Sequence, residues 1–220
     1  MIYFFADDHF NRNCGRKIFN AMPEDLKKRT VFTENRIDML NDGAWEKDCE
    51  LLILHLIGGT CGNPPASETA EKALHRYLDR GGNMLLLHGS SAAFWHWDWW
   101  RKICGLRWVR PGDPDGVEKS VHPVQPFKVN VAKCRHELCR KLLPMDLPCD
   151  EIYIHLEQTN PVTVFMETIV NGETFPQCFE TVNERGGKYL TFLPGHNPEA
   201  FEVPEVHKNI AELIRYLIVR

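Results

Sequence analysis

The chain reads as an α/β protein with a mostly parallel central sheet and antiparallel additions in its second half. Three observations predict this. Strand-like and helix-like segments alternate up to Trp100, as parallel strands joined by right-handed crossovers require. After Trp100, strand-like runs succeed one another without long helices between them. Two apolar runs, 84–87 and 189–193, each stop at a histidine beside a glycine, at His88-Gly89 and Gly195-His196. In an open α/β sheet the carboxyl ends of the strands form the ligand crevice, so these two histidines are expected to share one site.

The elements follow in order. Residues 2–6 read as a buried strand, leading into the loop of Asp7, Asp8, His9, Phe10 and Asn11. Residues 16–22 have helical spacing and stop at Pro23, and 29–32 read as a second strand. The continuous apolar run 51–57 fits a strand covered on both faces, ended by Gly58-Gly59. Ser67 is placed to cap a helix that runs to Arg80 and stops at Gly81-Gly82, and 83–87 is the next central strand. Residues 109–124, rich in proline, glycine and charge, read as a long loop. Strands are expected at 127–131, 151–156, 163–170 and 175–181, with Asn171-Gly172 as a hairpin turn. A strand at 189–193 and a helix starting at Pro204 close the chain. No repeat or linker divides it, so residues 1–220 read as a single domain.

Composition narrows the functional classes. A chain of 220 residues with 43% hydrophobic content can build a substantial core. A formal net charge of -4 argues against a nucleic-acid footprint. The N-terminus lacks a basic region ahead of its short apolar run, and no stretch approaches a membrane span, so a cytoplasmic protein is expected. The 8 cysteines are scattered and form no Cys-x-x-Cys pair. Most are expected to be buried reduced thiols, with Cys134 and Cys139 as a metal or redox pair at undiagnostic spacing.

Each candidate site residue has a competing structural role. His88 either projects into the crevice or ties down its turn, and Ser90 is either a nucleophile or a helix N-cap. His196, between Gly195 and Asn197-Pro198-Glu199, sits on a loop where it can act as acid, base or metal ligand, with Glu199 placed to orient it. His9 follows the first strand and faces the same crevice or solvent. Gly59 allows close backbone approach to a ligand, or is a plain turn. The aromatic cluster 94–100, Trp97 included, offers rings to a sugar or packs as core. Asp150-Glu151-Ile152-Tyr153 opens with two carboxylates, one of which can pair with a histidine. His122 and His136 are weaker candidates, each a loop ligand or mere surface. Catalysis is therefore expected from His88, His196 and Glu151, and substrate contacts from His9, Gly59, Ser90, Trp97 and Tyr153. A divalent metal such as zinc is an open alternative on the imidazoles and carboxylate.

The segment from Gly81-Gly82 to His88 resembles the Gly-Gly-strand-His element of the trehalose-utilisation (ThuA-like) family. Residues 97–105 are similar to its aromatic helix. His122-Pro123, His136, Asp150-Glu151-Ile152-Tyr153 and Gly195-His196 follow in its order, so the resemblance runs from about His9 to the final helix. It implies a class I glutamine amidotransferase-like fold, a flavodoxin-like three-layer sandwich. The wider superfamily uses a Cys-His-Glu triad with the cysteine on the elbow after a central strand. Here that elbow reads Leu87-His88-Gly89-Ser90 and holds no thiol, which implies no glutaminase activity. The resemblance further implies a small-molecule partner: a disaccharide or its keto form, handled by histidine and carboxylate acid–base chemistry. A non-catalytic sugar-binding protein is the alternative, and self-association as a homodimer stays open. Cys178-Phe179-Glu180, where the family often carries tryptophan, and the individual loop 109–119 depart from the pattern.

Overall fold

The run that starts at Leu51 is buried along its whole length, as a central strand covered on both faces must be. Leu51 and Ile53 enter one apolar cluster, and Leu52 and Leu54 enter another on the opposite face. In the computed structural model, which describes residues 1–8, 11–60, 62–113 and 118–219, this alternation fixes the layers. His9 and Cys61 lie outside the described residues.

The chain order is β1 (Ile2–Ala6), α1 (Cys14–Ala21), α2 (Glu24–Lys27), β2 (Thr30–Glu34), α3 (Ile37–Asn41), β3 (Leu51–His55), α4 (Glu68–Asp79), β4 (Asn83–Leu87) and α5 (Asp98–Ile103). There follow β5 (Leu106–Arg107), β6 (Val124–Val131), β7 (Met145–Glu151), β8 (Glu157–Gln158), β9 (Thr163–Val170), β10 (Glu173–Val182), β11 (Lys188–Phe192) and α6 (Pro204–Ile218). The main sheet runs β2-β1-β3-β4-β11-β10-β9-β6-β7. Its first five strands are parallel, so their carboxyl ends open on one side. From β11 onward the neighbours are antiparallel. One helical layer, with α1 and α6, packs on the face shown by Ile53, Leu85 and Leu190. The other, with α3, α4 and α5, packs on the face of Leu52, Leu54 and Leu86.

Local chemistry explains the boundaries. Ser67 accepts a hydrogen bond from the amide of Ala70 and caps α4. Gly81, at φ +79°, ends that helix, and the amides of Gly81 and Gly82 return to Leu78 and Tyr77. A Cβ on Gly82 would stand 2.4 Å from the fully buried Tyr77 ring. Gly82→Ala is therefore expected to destabilise the fold by about 1–3 kcal/mol through overpacking, read as a lower denaturation midpoint. Asn171 and Gly172 both have positive φ, which suits the tight turn joining β9 to β10.

Two expectations are corrected. The strand expected at 151–156 lies earlier, at Met145–Glu151. Pro148 obscures it in the sequence, yet this is the sheet edge, where a missing amide donor is tolerated. Cys134 and Cys139 are joined as a disulfide, which leaves no metal role for that pair. Cys14, Cys49, Cys104, Cys149 and Cys178 are free thiols, four of them buried. Among the described residues no helix is long and apolar enough to cross a membrane.

Candidate active site

β4 and β11 are adjacent, parallel and in register, with Leu87 beside Phe192. Their ends therefore bring His88 and His196 together, with ring centroids 4.8 Å apart and His88 Nε2 3.1 Å from His196 Nδ1. His88 is the first residue of the 3-10 turn His88–Ala92 and has φ +49°, an uncommon conformation for a residue with a side chain. Its Nδ1 lies 2.8 Å from the Leu193 carbonyl oxygen, which can only accept. That bond places the proton on Nδ1 and aims Nε2 at the other site groups.

His196 is positioned through its backbone. The Asp150 carboxylate accepts from the amides of Gly195 at 2.6 Å, His196 at 2.9 Å and Asn197 at 2.8 Å. Gly195 has φ +120°, and a Cβ there would meet the Phe201 ring at 2.9 Å, so glycine alone fits this bend. Asp150 and Glu151 are the last two residues of β7. Side chains alternate along a strand, so one carboxylate holds the loop while the other enters the site.

Glu151 lies between the imidazoles. Its Oε2 is 3.5 Å from His88 Nε2, and its Oε1 is 3.3 Å from His196 Nε2 and 3.3 Å from His122 Nδ1. The Tyr153 hydroxyl stands 3.3 Å from His88 Nε2. His88, His196 and Glu151 are all buried. Burial opposes a proton on His88, but the hydrogen bond that His88 donates to Glu151 and the charges of Asp150 and Glu151 outweigh it, so its pKa is raised. Burial likewise pulls Glu151 up, and the hydrogen bond with His88 and the charges of His88, His196 and His122 overcome it, so its pKa is lowered. The pair thus favours imidazolium beside carboxylate. One donor atom from each of His88, Glu151 and His196 lies within 4.8 Å of the others, close enough for the three to share a divalent cation.

These groups face a cleft of about 340 Å³. Trp108 forms one wall, with its ring 4.7 Å from Tyr153 and 5.3 Å from His122. Trp108 does not stand out as a site residue in the sequence, and Asp150 stands out only as one of a carboxylate pair, not as the anchor of the His196 loop. Trp108 belongs to the aperiodic stretch after α5, and the role of Asp150 is a contact across 45 to 47 positions. Their only sequence signals are an aromatic residue at a loop start and a carboxylate pair at a strand end.

Other expected contacts are placed elsewhere. Ser90 is fully buried, donates to the Leu54 carbonyl and accepts from the Leu56 amide, so it ties β3 to the turn. Trp97 packs on Phe94 in the core. Gly59 is an exposed turn residue at φ +85° next to His96. Glu199 is exposed, so it does not orient His196, whereas Asp150 holds that backbone. His136 lies away from the cleft, against Tyr216 and Phe165.

Asp7, in the loop after β1, reaches across to the end of β3. Its Oδ2 accepts from the Ile57 amide at 2.7 Å, and its Oδ1 is buried without a hydrogen-bond partner among the described residues. Burial, against the Ile57 bond and with Asp8 and Glu34 nearby, pushes its pKa up to about 6. A raised carboxylate pKa means the folded state gives up stability as pH rises from about 4 through about 6. Asp7→Asn is therefore expected to be more stable than the parent at pH 8 by about 2–3 kcal/mol and equal to it near pH 4. Urea denaturation at both pH values checks this, and an equal gain at both would contradict it.

The sequence model of a family described as ThuA, trehalose utilisation, matches residues 6–217. No curated protein matches the chain. Among solved structures, a ThuA-like protein from Parabacteroides merdae aligns with TM-score 0.75 and 16% identity, over 99% of this chain and 89% of that one. A ThuA-like protein from Bacteroides uniformis aligns with TM-score 0.72 and 15% identity, over 98% and 89% of the two chains. A β-galactosidase from Bacillus circulans sp. alkalophilus aligns with TM-score 0.56 and 9% identity, over 98% of this chain and 30% of that enzyme. At these identities the structural likenesses speak to the fold alone.

Proposed function

The chain belongs to the trehalose-utilisation family, and we propose that it is an enzyme that moves a proton beside a carbonyl in a disaccharide or its oxidised keto form. The observation that carries this reading is the Glu151 carboxylate held between His88 and His196 in a buried cleft. Glu151 takes a proton from the carbon next to the carbonyl. The electron pair of that C–H bond forms a C=C bond, and the carbonyl π electrons move onto oxygen. His88 delivers a proton from Nε2 to that oxygen, giving an enol. His196, within hydrogen-bond reach of both groups, shuttles the proton so that the reverse steps can protonate the neighbouring carbon. Trp108 offers an aromatic face to the C–H face of a ring.

Glutamine hydrolysis is not part of this proposal. His88 occupies the turn after β4 where a thiol nucleophile would be needed. The free thiol beside His196 is Cys14, and burial pushes it up to about 12, far from thiolate at neutral pH.

A second reading is favoured by the spacing of the three donor atoms. A divalent cation such as zinc on His88, Glu151 and His196 would polarise the substrate carbonyl as a Lewis acid. Metal analysis of protein purified without chelator separates the two readings. The test of either is deuterium incorporation beside the carbonyl when keto-disaccharides are incubated with the protein in D2O. Sugar binding without exchange across the panel would turn the assignment to a binding protein.

A further inference from the structure

We propose that the cavity among the ends of β1, β2 and β3 is a second sugar-ring subsite, and that Asp7 accepts a ring hydroxyl there. This inference rests on the reading of the histidine cleft as a carbohydrate site, and it specifies a substrate of two rings.

The cavity measures about 120 Å³. Phe5, Ile37 and Leu40 give it apolar walls, and Asp7 and Asn63 contribute polar groups. A pyranose ring presents C–H faces and a rim of hydroxyls, which suits apolar walls with a few placed polar atoms. Other polar groups nearby are engaged: the Asn35 side-chain oxygen accepts from the Asp8 amide, and the Arg36 guanidinium pairs with Asp38.

The cavity neighbours the catalytic side through shared walls. A narrow gap of about 20 Å³ shares Asp7 and Leu56 with the cavity. The same gap shares Ile57, His88 and His196 with the larger cleft. A two-ring ligand laid along the carboxyl ends of β4, β3 and β1 would thus put one ring at His88 and pass its linkage by Asp7.

Asp7 supplies the independent chemical signal. One carboxylate oxygen is held by the Ile57 amide, and the other is buried with no donor among the described residues. An unpaired buried acceptor is costly, and its shift toward a raised pKa reports the same cost. A turn of the carboxylate that brought this oxygen to the cavity would let a sugar hydroxyl supply the missing donor in a charge-assisted hydrogen bond. A residue kept at the expense of stability beside a pocket is the pattern expected of a binding residue.

The test is calorimetric titration of trehalose and of glucose into the parent, Asp7→Asn and Asn63→Trp. Asp7→Asn keeps an acceptor for the Ile57 amide and replaces the free oxygen by an N–H donor. Asn63→Trp fills the cavity from an irregular loop, so it reports on the subsite without altering Asp7. Both variants are expected to weaken trehalose binding at least tenfold and to change glucose binding less than twofold. Unchanged trehalose affinity, or equal weakening of both sugars, would overturn the subsite and leave the cleft reading standing. If the parent binds neither sugar nor the keto-disaccharides of the exchange assay, the carbohydrate reading falls and the subsite with it.

Discussion

Glu151→Gln is expected to lower proton-exchange turnover by about 10²–10⁴-fold, the usual contribution of a positioned general base. The substitution keeps shape and volume, so the cleft stays filled. What it removes is the negative charge that His88, His196 and His122 share. The pKa of His88 is raised because the hydrogen bond and charge of Glu151 help to overcome burial, so the variant should also shift the His88 titration downward. NMR titration of the His88 ring in parent and variant reads that shift separately from turnover. Loss of activity with an unmoved His88 titration would contradict the coupling. Full activity in the variant would remove Glu151 as the base. A His88→Gln variant should lose activity to a similar degree, because an amide N–H can hydrogen-bond the substrate oxygen but cannot transfer a proton to it.

Asp150→Ala is expected to have the largest effect on stability. It leaves the amides of Gly195, His196 and Asn197 without their acceptor. An orphaned buried donor costs about 1–3 kcal/mol, so the variant should lose about 3 kcal/mol or more. Activity should fall with it even where the protein stays folded, since the loop that presents His196 is no longer pinned. Asp150→Asn should lie between parent and alanine variant, because its one oxygen can serve only part of the amide set. Denaturation midpoints and turnover for the two variants, measured side by side, check the order. If Asp150→Ala were as stable as the parent, the carboxylate would not be what holds the loop.

How far the sequence reached depends on the range of the interaction. β3 and β4 are legible because apolar continuity and flanking glycines are local signals, and α4 because its cap, its spacing and its terminator all lie within one segment. The hairpin at Asn171-Gly172 is legible because positive φ at two adjacent positions restricts the residue types. β7 is less legible, since Pro148 argues against a strand until it is known to lie at the sheet edge. The aromatic cluster is ambiguous in the sequence because Trp97 would look the same on a ligand as in a core.

The sequence by itself determined that the chain is α/β, and that two histidines stand at the ends of apolar strands, with a carboxylate pair between them along the chain in a ThuA-like order. It did so because strand burial and turn conformation are written in neighbouring residues. Only the tertiary structure decided that β4 and β11 are adjacent, that Glu151 sits between the histidines and that Asp150 pins the His196 loop. It also decided that Ser90 is a tie rather than a nucleophile and that Asp7 is left with an unpaired oxygen. Those facts depend on strand order and on contacts between residues tens to more than a hundred positions apart, and spacing along the chain carries no record of either.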